Sequence, residues 1–463
     1  MKFERNWMLA IGPLAAAALG VGLKMGGLDA PACWCAAVTL LCGIWWICEV
    51  IPLAATALIP FAVFPLTGIL SHREVAGAYG HTLILLMLTG SIISTAMEKS
   101  GAHRRVALGM VRLVGGNGGR RLVLGFLLAS AVLSMWVSNT ATVVMLLPVA
   151  LAVLEGVEDR QKMAVPLLLA VAYGAAVGGS GTPVGTPANL ILINQYQQTT
   201  GTEIVFHEWM KMGLPVVVLM LPVVWLWLTR NVSRDSKPIA LPELGPWQAD
   251  QRRVLIVFGL TALAWITRKA PFGGWGSWIG AESTAGDSTV ALVAALALFI
   301  LPSGREDKSR LLDWQTANAI PWGVFIMIGG GMALGMGFRE SNLSDALGIA
   351  LKPVAGLPLI FMILCLCLFA TFFTEVASNT AVSNILMPIM AAVGTAAGID
   401  PLLVMLPVTL GLNWSFMLPA ATAPNAIIYG AGLIPLKRMA QEGCILNVIG
   451  SVLITIVCYF VLR

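Results

Sequence analysis

Ser138-Asn139-Thr140 recurs as Ser378-Asn379-Thr380, and each copy lies inside a long apolar run. Hydroxyls and side-chain amides supply donors and acceptors together. Where a helix is interrupted, they stand beside freed carbonyl oxygens, which suit a small hard cation. They also stand beside freed N–H groups, which with the helix dipole suit an anion. Each tripeptide is followed by Ala and, ten residues after its Ser, by a proline (Pro148 and Pro388). Further on comes a second small polar cluster: Gly185-Thr186-Pro187-Ala188-Asn189 in one half, Ala421-Thr422-Ala423-Pro424-Asn425 in the other. Asn139 and Asn189 are 50 residues apart, Asn379 and Asn425 46. Taken singly, each tripeptide reads more simply as a cap that satisfies backbone groups. Four helix-breaking patches in matched pairs fit a transporter with a duplicated binding site at the centre of the bilayer.

The elements that must position these patches are membrane helices. The 463 residues are 58% apolar and 11% charged, with mean hydropathy +0.85, against roughly 25% charged in a soluble domain. A hydrocarbon core about 30 Å thick takes ~20 apolar residues per helical span. The short alternating segments of a barrel are absent, so the class is all-α and polytopic. The runs 121–137 and 141–155 are separated only by the first tripeptide, and 354–377 and 381–398 only by the second. So tight a turn predicts a re-entrant hairpin with the tripeptide at its tip, because irregular backbone survives at that depth only against protein or a wet cavity. The stretches 163–195 and 402–434 are broken by Gly, Pro, Thr and Asn, and such discontinuous helices bind solute in transporters.

Basic residues gather in 99–121 (Lys99, Arg104, Arg105, Arg112, Arg120, Arg121) and 229–253 (Arg230, Arg234, Lys237, Arg252, Arg253). Both read as cytoplasmic loops. The nearly uncharged Gly/Trp-rich segment 272–286 then lies outside, and Lys437 and Arg438 start the last helix inside. An inner N-terminus, read as an uncleaved first helix, and an outer C-terminus require an odd number of crossings. About eleven transmembrane helices plus two re-entrant hairpins in an inverted repeat fit the runs. The boundaries fall at 1–98, 99–228, 229–340 and 341–463.

The net charge of +5 sits in short loops and is no nucleic-acid signal. The eight cysteines lie mostly in apolar helices without zinc spacing, and read as buried packing residues. No zinc-protease, nucleophile-elbow or phosphate-loop pattern appears, so the chain reads as no enzyme, with no organic cofactor. Neither polar cluster contains Arg, Lys or His. A carboxylate buried there unpaired is prohibitively costly, so co-bound cations must supply the charge if the cargo is an anion.

The paired tripeptides and broken-helix clusters, in this order, resemble the divalent anion:sodium symporter family, which includes bacterial sodium/dicarboxylate cotransporters. Trp45-Trp46 before Glu49-Val50-Ile51-Pro52, and Phe373-Thr374-Glu375 before the second tip, also resemble it. The resemblance implies an inner-membrane homodimer in which each protomer has a scaffold and an elevator-type transport domain. Segment 1–98 would be mainly scaffold, 99–228 first-repeat transport elements, 229–340 scaffold, and 341–463 second-repeat transport elements with the last helix. It implies Na⁺ held by Ser134, Ser138, Asn139 and Gly185, and by Thr374, Ala377, Asn379 and Ala421. It implies dicarboxylate contacts from Asn139, Thr140, Asn379, Thr380 and Thr422. One departure is Thr422-Ala423-Pro424, where many relatives carry Thr-Pro-Pro.

The expected function is sodium-coupled uptake of a C4 dicarboxylate such as succinate, fumarate or malate. A sodium-independent exchanger of the same fold, a sodium-coupled citrate or sulfate carrier, and a passive anion channel are the rivals. Glu375 reads equally as a cation or proton relay and as an internal cap. Lipid headgroups are expected partners of Arg104, Arg105, Arg120 and Arg121.

Overall fold

The computed structural model describes residues 2–115, 118–157, 159–232, 245–269, 273–281, 284–306, 308–350 and 356–462. Arg234 and Lys237 of the second basic cluster, and part of the Gly/Trp-rich segment, lie outside the described residues. Among those described the chain is helical throughout, apart from one isolated bridge between Pro302 and Arg310.

Seven helices are long and apolar enough to cross a bilayer, from Trp7–Met25 to Leu436–Val461. The shorter or interrupted helices Leu53–Thr67, Ala249–Ile266, Asp287–Ile300 and the broken pair Leu402–Asn413/Ala423–Gly430 bring the crossings to eleven. The two hairpins are separate. Their arms are Gly119–Ser134 with Asn139–Glu155, and Leu359–Phe373 with Asn379–Ala396. Residues 135–138 join the arms of the first hairpin and residues 374–378 those of the second, so each pair of arms doubles back through a tight turn. The tripeptide serine is the residue before each return arm. The Ser138 hydroxyl accepts from Ala141 N at 3.2 Å, whereas Ser378 occupies the same position without such a bond.

Each hairpin packs on the broken helix of its own half, Arg160–Gly178/Pro187–Thr200 and Leu402–Asn413/Ala423–Gly430. The halves also interlock. The return arm Asn139–Glu155 touches Ala423–Gly430, and Asn379–Ala396 touches Pro187–Thr200. The core between them holds the fully buried Tyr173, Trp209, Trp414 and Phe416. The Gly-rich helix Trp322–Glu340 packs against Pro187–Thr200 and Asn379–Ala396 on one side, and against the N-terminal helices on another. A Cβ on Gly331 would strike Asn384, and one on Gly335 would strike Gln195, so only glycine allows this approach.

One local expectation needs correction. The basic segment 99–121 is not a loop: His103 to Arg112 lie on the helix Ala102–Gly115, whose buried Ala107, Leu108 and Val111 face the first hairpin. Interspersed arginines masked its apolar stripe. The last helix begins at Leu436 after Pro435, so Lys437 and Arg438 lie in its first turn, where Arg438 pairs with Glu442 at 2.7 Å. Trp45 and Trp46 are fasteners: their indoles donate to Met8 O at 3.3 Å and Leu53 O at 3.0 Å, bracing the break that contains Glu49.

Candidate transport site

Each hairpin tip turns the Asn side-chain oxygen onto a buried hydroxyl five residues earlier. Ser134 Oγ donates to Asn139 Oδ1 in the first half, and Thr374 Oγ1 donates to Asn379 Oδ1 at 2.5 Å in the second. Thr374 Oγ1 also faces Ala377 O and Leu412 O, both at 3.5 Å. Two clusters of uncharged oxygens result, the donor type that hard cations take.

The broken helices repeat one another as closely. Asn189 Nδ2 donates to Gly179 O at 3.0 Å and Thr182 O at 2.8 Å. Asn425 Nδ2 donates to Ser415 O at 2.9 Å and Leu418 O at 3.2 Å. The carbonyls lie ten and seven residues before the asparagine in both cases. Each asparagine thus closes the loop that its helix break opens, satisfying carbonyls the helix has abandoned. Gly185 packs backbone to backbone on Gly179, with no room for a Cβ. In both halves the following helix brings a glycine against the loop, Gly213 onto Ser180 O and Gly443 onto Phe416 O.

The expected residues separate by accessibility. Ser134, Gly185, Thr374, Ala377 and Ala421 are buried; Asn139, Asn379, Thr380 and Thr422 are half-buried; Ser138 and Thr140 are exposed. Asn139 Oδ1 lies against Gly179, which in turn abuts Gly185, so Ser134, Asn139 and Gly185 share one spot. Ser138 commits its hydroxyl to the helix cap, and the Thr422 hydroxyl accepts from Asn425 N at 3.3 Å. Ser415 Oγ reaches Asn379 Oδ1 at 3.4 Å.

The two tips are joined through a residue that motif reading missed. Asn413, at the end of Leu402–Asn413, donates to Asn189 Oδ1 at 2.9 Å and Ser180 Oγ at 3.3 Å, and accepts from Thr186 Oγ1 at 3.0 Å. Its neighbour Trp414 donates to Ser180 Oγ at 3.2 Å. An asparagine that ends an apolar helix was the available signal. Glu375 is the one acidic group beside a tip. Its carboxylate accepts from Met417 N and Leu418 N, both at 2.9 Å, and from Asn447 Nδ2 at 2.7 Å. No ion pair involves it among the described residues, so it serves here as a cap of the second broken loop. A cavity of about 460 Å³ opens elsewhere, between Gln198, Thr199 and Thr395 on one side and Gly335, Arg339 and Asp345 on the other.

Residues 14–461 match the family described as the sodium:sulfate symporter transmembrane region. The chain belongs to that family. Among its relatives are the proteins named sodium-dependent dicarboxylate transporter SdcS of Staphylococcus saprophyticus and of Staphylococcus aureus (strain USA300). They are 38% identical over 445 residues and 39% over 447, each covering 92% of this chain and 85% of the relative. Two solved transporters share the fold at 14% identity. The YdaH transporter of Alcanivorax borkumensis has a TM-score of 0.62 over 91% of this chain and 98% of its own. MtrF of Neisseria gonorrhoeae has 0.57 over 86% and 83%. As a member of the symporter family, the protein is a multi-pass membrane transporter and not an enzyme.

Proposed function

We propose that the protein carries a C4 dicarboxylate such as succinate, fumarate or malate into the cell together with Na⁺. The observation that carries this reading is the pair of uncharged oxygen clusters at Ser134/Asn139 and Thr374/Asn379, set beside half-exposed hydroxyls with no cationic side chain bonded to them among the described residues. Buried carboxylates need compensating charge, and sodium ions travelling with the cargo provide it.

One Na⁺ is held by Ser134, Asn139 and Gly185 with Ser138 at the tip, the other by Thr374, Ala377, Asn379 and Ala421. The substrate carboxylates meet Asn139, Thr140, Asn379, Thr380 and Thr422, where the starts of Asn139–Glu155, Asn379–Ala396 and Ala423–Gly430 present freed N–H groups. The names of the SdcS relatives support the choice of a dicarboxylate and of sodium.

Movement is by an elevator, in which segments 99–228 and 341–463 slide past segments 1–98 and 229–340. The glycine faces of Trp322–Glu340 at Gly331 and Gly335 favour this, because they present no side chain to obstruct a sliding partner. The protein works as a homodimer in the inner membrane, with its N-terminus cytoplasmic and its C-terminus periplasmic. Exposed apolar side chains such as Leu14, Leu66 and Phe460 meet lipid.

The deciding measurement is uptake of labelled succinate into proteoliposomes with and without an inward Na⁺ gradient. Gradient-driven accumulation is the expected result. Equal uptake in both conditions turns the assignment to a sodium-independent exchanger; accumulation of citrate or sulfate in place of succinate corrects the substrate.

A further inference from the structure

We propose that Asn413 is a positioning residue that couples the two cation sites, so that sodium bound in one half orders the other. The inference rests on the sodium-coupled reading and adds to it a route by which the two ions act together.

The side chain of Asn413 belongs to the second half by sequence and to the first by its bonds. It is 2% exposed. Its amide group donates to Asn189 and Ser180, and its oxygen accepts from Thr186, at 2.9, 3.3 and 3.0 Å. Ser180 and Thr186 bracket Gly185, and Asn189 is the side chain that closes this loop through Gly179 O and Thr182 O. Asn413 therefore grips the first broken loop at both of its ends and at its clasp.

Its backbone neighbours touch the other cluster. Leu412 O faces Thr374 Oγ1 at 3.5 Å, and Ser415 Oγ faces Asn379 Oδ1 at 3.4 Å. A cation that draws Thr374 and Asn379 inward acts on residues 412 and 415. The side chain between them transmits any rotation of that backbone to Thr186 and Asn189. Buried polar networks of this kind act as units rather than as sums of pairs.

Tyr173 of the first half also reaches across, donating to Phe416 O at 2.7 Å, but the Asn413 bridge has no counterpart at the matching position. Matching the loop asparagines, Asn189 with Asn425, places Val177 opposite Asn413 and Gly178 opposite Trp414. Val177 has no side-chain hydrogen-bonding group, and Gly178 packs flush on the Ala131 backbone. The repeat itself therefore does not call for a polar crossing at this point. Asn413 and Trp414 are an addition in one copy, placed where the copies meet.

The test measures initial succinate uptake by the purified full-length protein in proteoliposomes over a series of Na⁺ concentrations. It also follows the rise in melting temperature with Na⁺ in the absence of substrate. The wild type is expected to give a sigmoidal Na⁺ curve with a Hill coefficient above 1 in both readouts. Asn413→Ala and Asn413→Val, the residue of the other copy, are expected to lower the Hill coefficient of the substrate-free titration to near 1, while uptake, which needs both ions, becomes less steep without turning hyperbolic. Both substitutions should raise the half-saturating Na⁺ about tenfold, within the usual range of site-to-site coupling.

Variants that need more sodium but keep the wild-type Hill coefficient overturn the coupling role and leave a merely structural one. Wild-type uptake indifferent to sodium overturns this inference together with the cotransport reading. Should both substitutions prevent folding, Asn413→Ser decides. It keeps a donor and acceptor too short to span Asn189 and Thr186, and an unchanged Hill coefficient there refutes the coupling.

Discussion

At the first hairpin tip Met135-Trp136-Val137 stands where the second has Glu375-Val376-Ala377. The tripeptides that follow are the same, and so are the offsets of their hydrogen bonds, yet the two tips are fastened by different chemistry. The first is neutral and aromatic. Thr182 Oγ1 donates to Met135 O, and Trp136 stacks on Phe206 and Trp265 with ring centroids 5.8 and 6.3 Å apart. The second is held by a carboxyl group and is bare, for Glu375 accepts from the amides of Met417 and Leu418 while Val376 is 66% exposed. The Asn–hydroxyl bond is the same in both halves, whereas the anchoring of each tip is not. Equivalent substitutions at the two tips should therefore have unequal effects.

The largest effect is expected from Glu375→Ala. It orphans two buried N–H groups and the Asn447 amide, and bonds to a charged acceptor contribute about 1.5–3 kcal/mol each. We expect uptake below a tenth of wild type and a clear fall in melting temperature in detergent, with Met135→Ala at the matching position within about 1 kcal/mol of wild type. Equal losses at the two positions would break the comparison. Next come Asn139→Ala and Asn379→Ala. Each removes an oxygen from a cluster, so both should raise the sodium requirement and lower uptake, and normal sodium curves in both would discard the cation assignment.

Trp136→Ala should cost less, about 1–3 kcal/mol for lost stacking and packing, read as a lower melting temperature. The counterpart Val376→Ala should be silent. The smallest change is Ala423→Pro. Proline suits the first helical position after the Thr422 cap, so melting should hold or rise slightly and uptake should stay within about twofold. A large loss of uptake would instead show that the Ala423 N–H contacts the substrate.

Much of this was legible in the chain. The hairpins and the broken helices followed from apolar runs, because a bilayer forces backbone groups to pair within helices and leaves breaks only where protein or a wet cavity covers them. The paired tripeptides marked the two hairpin turns for the same reason. Three things were harder to read. The helix Ala102–Gly115 hides its stripe of Ala107, Leu108 and Val111 among arginines, so hydropathy mistakes it for a loop. Asn413 carries no motif, since its partners are more than 200 residues away. Glu375 was visible, but its partners on a loop some 40 residues later could be known only once the chain had folded.

Among the described residues Glu375 is the one acid beside the hairpin tips, and this has a practical corollary. Glu375 has its oxygens engaged by the loop behind it, and the remaining groups at the tips do not titrate. Acidifying the medium then has two places to act, the guest and Glu375, whose oxygens hold the second broken loop. On the proposed reading, proton uptake by a dicarboxylate guest strips the charge that co-bound sodium answers, and proton uptake at Glu375 weakens its hold on the loop amides.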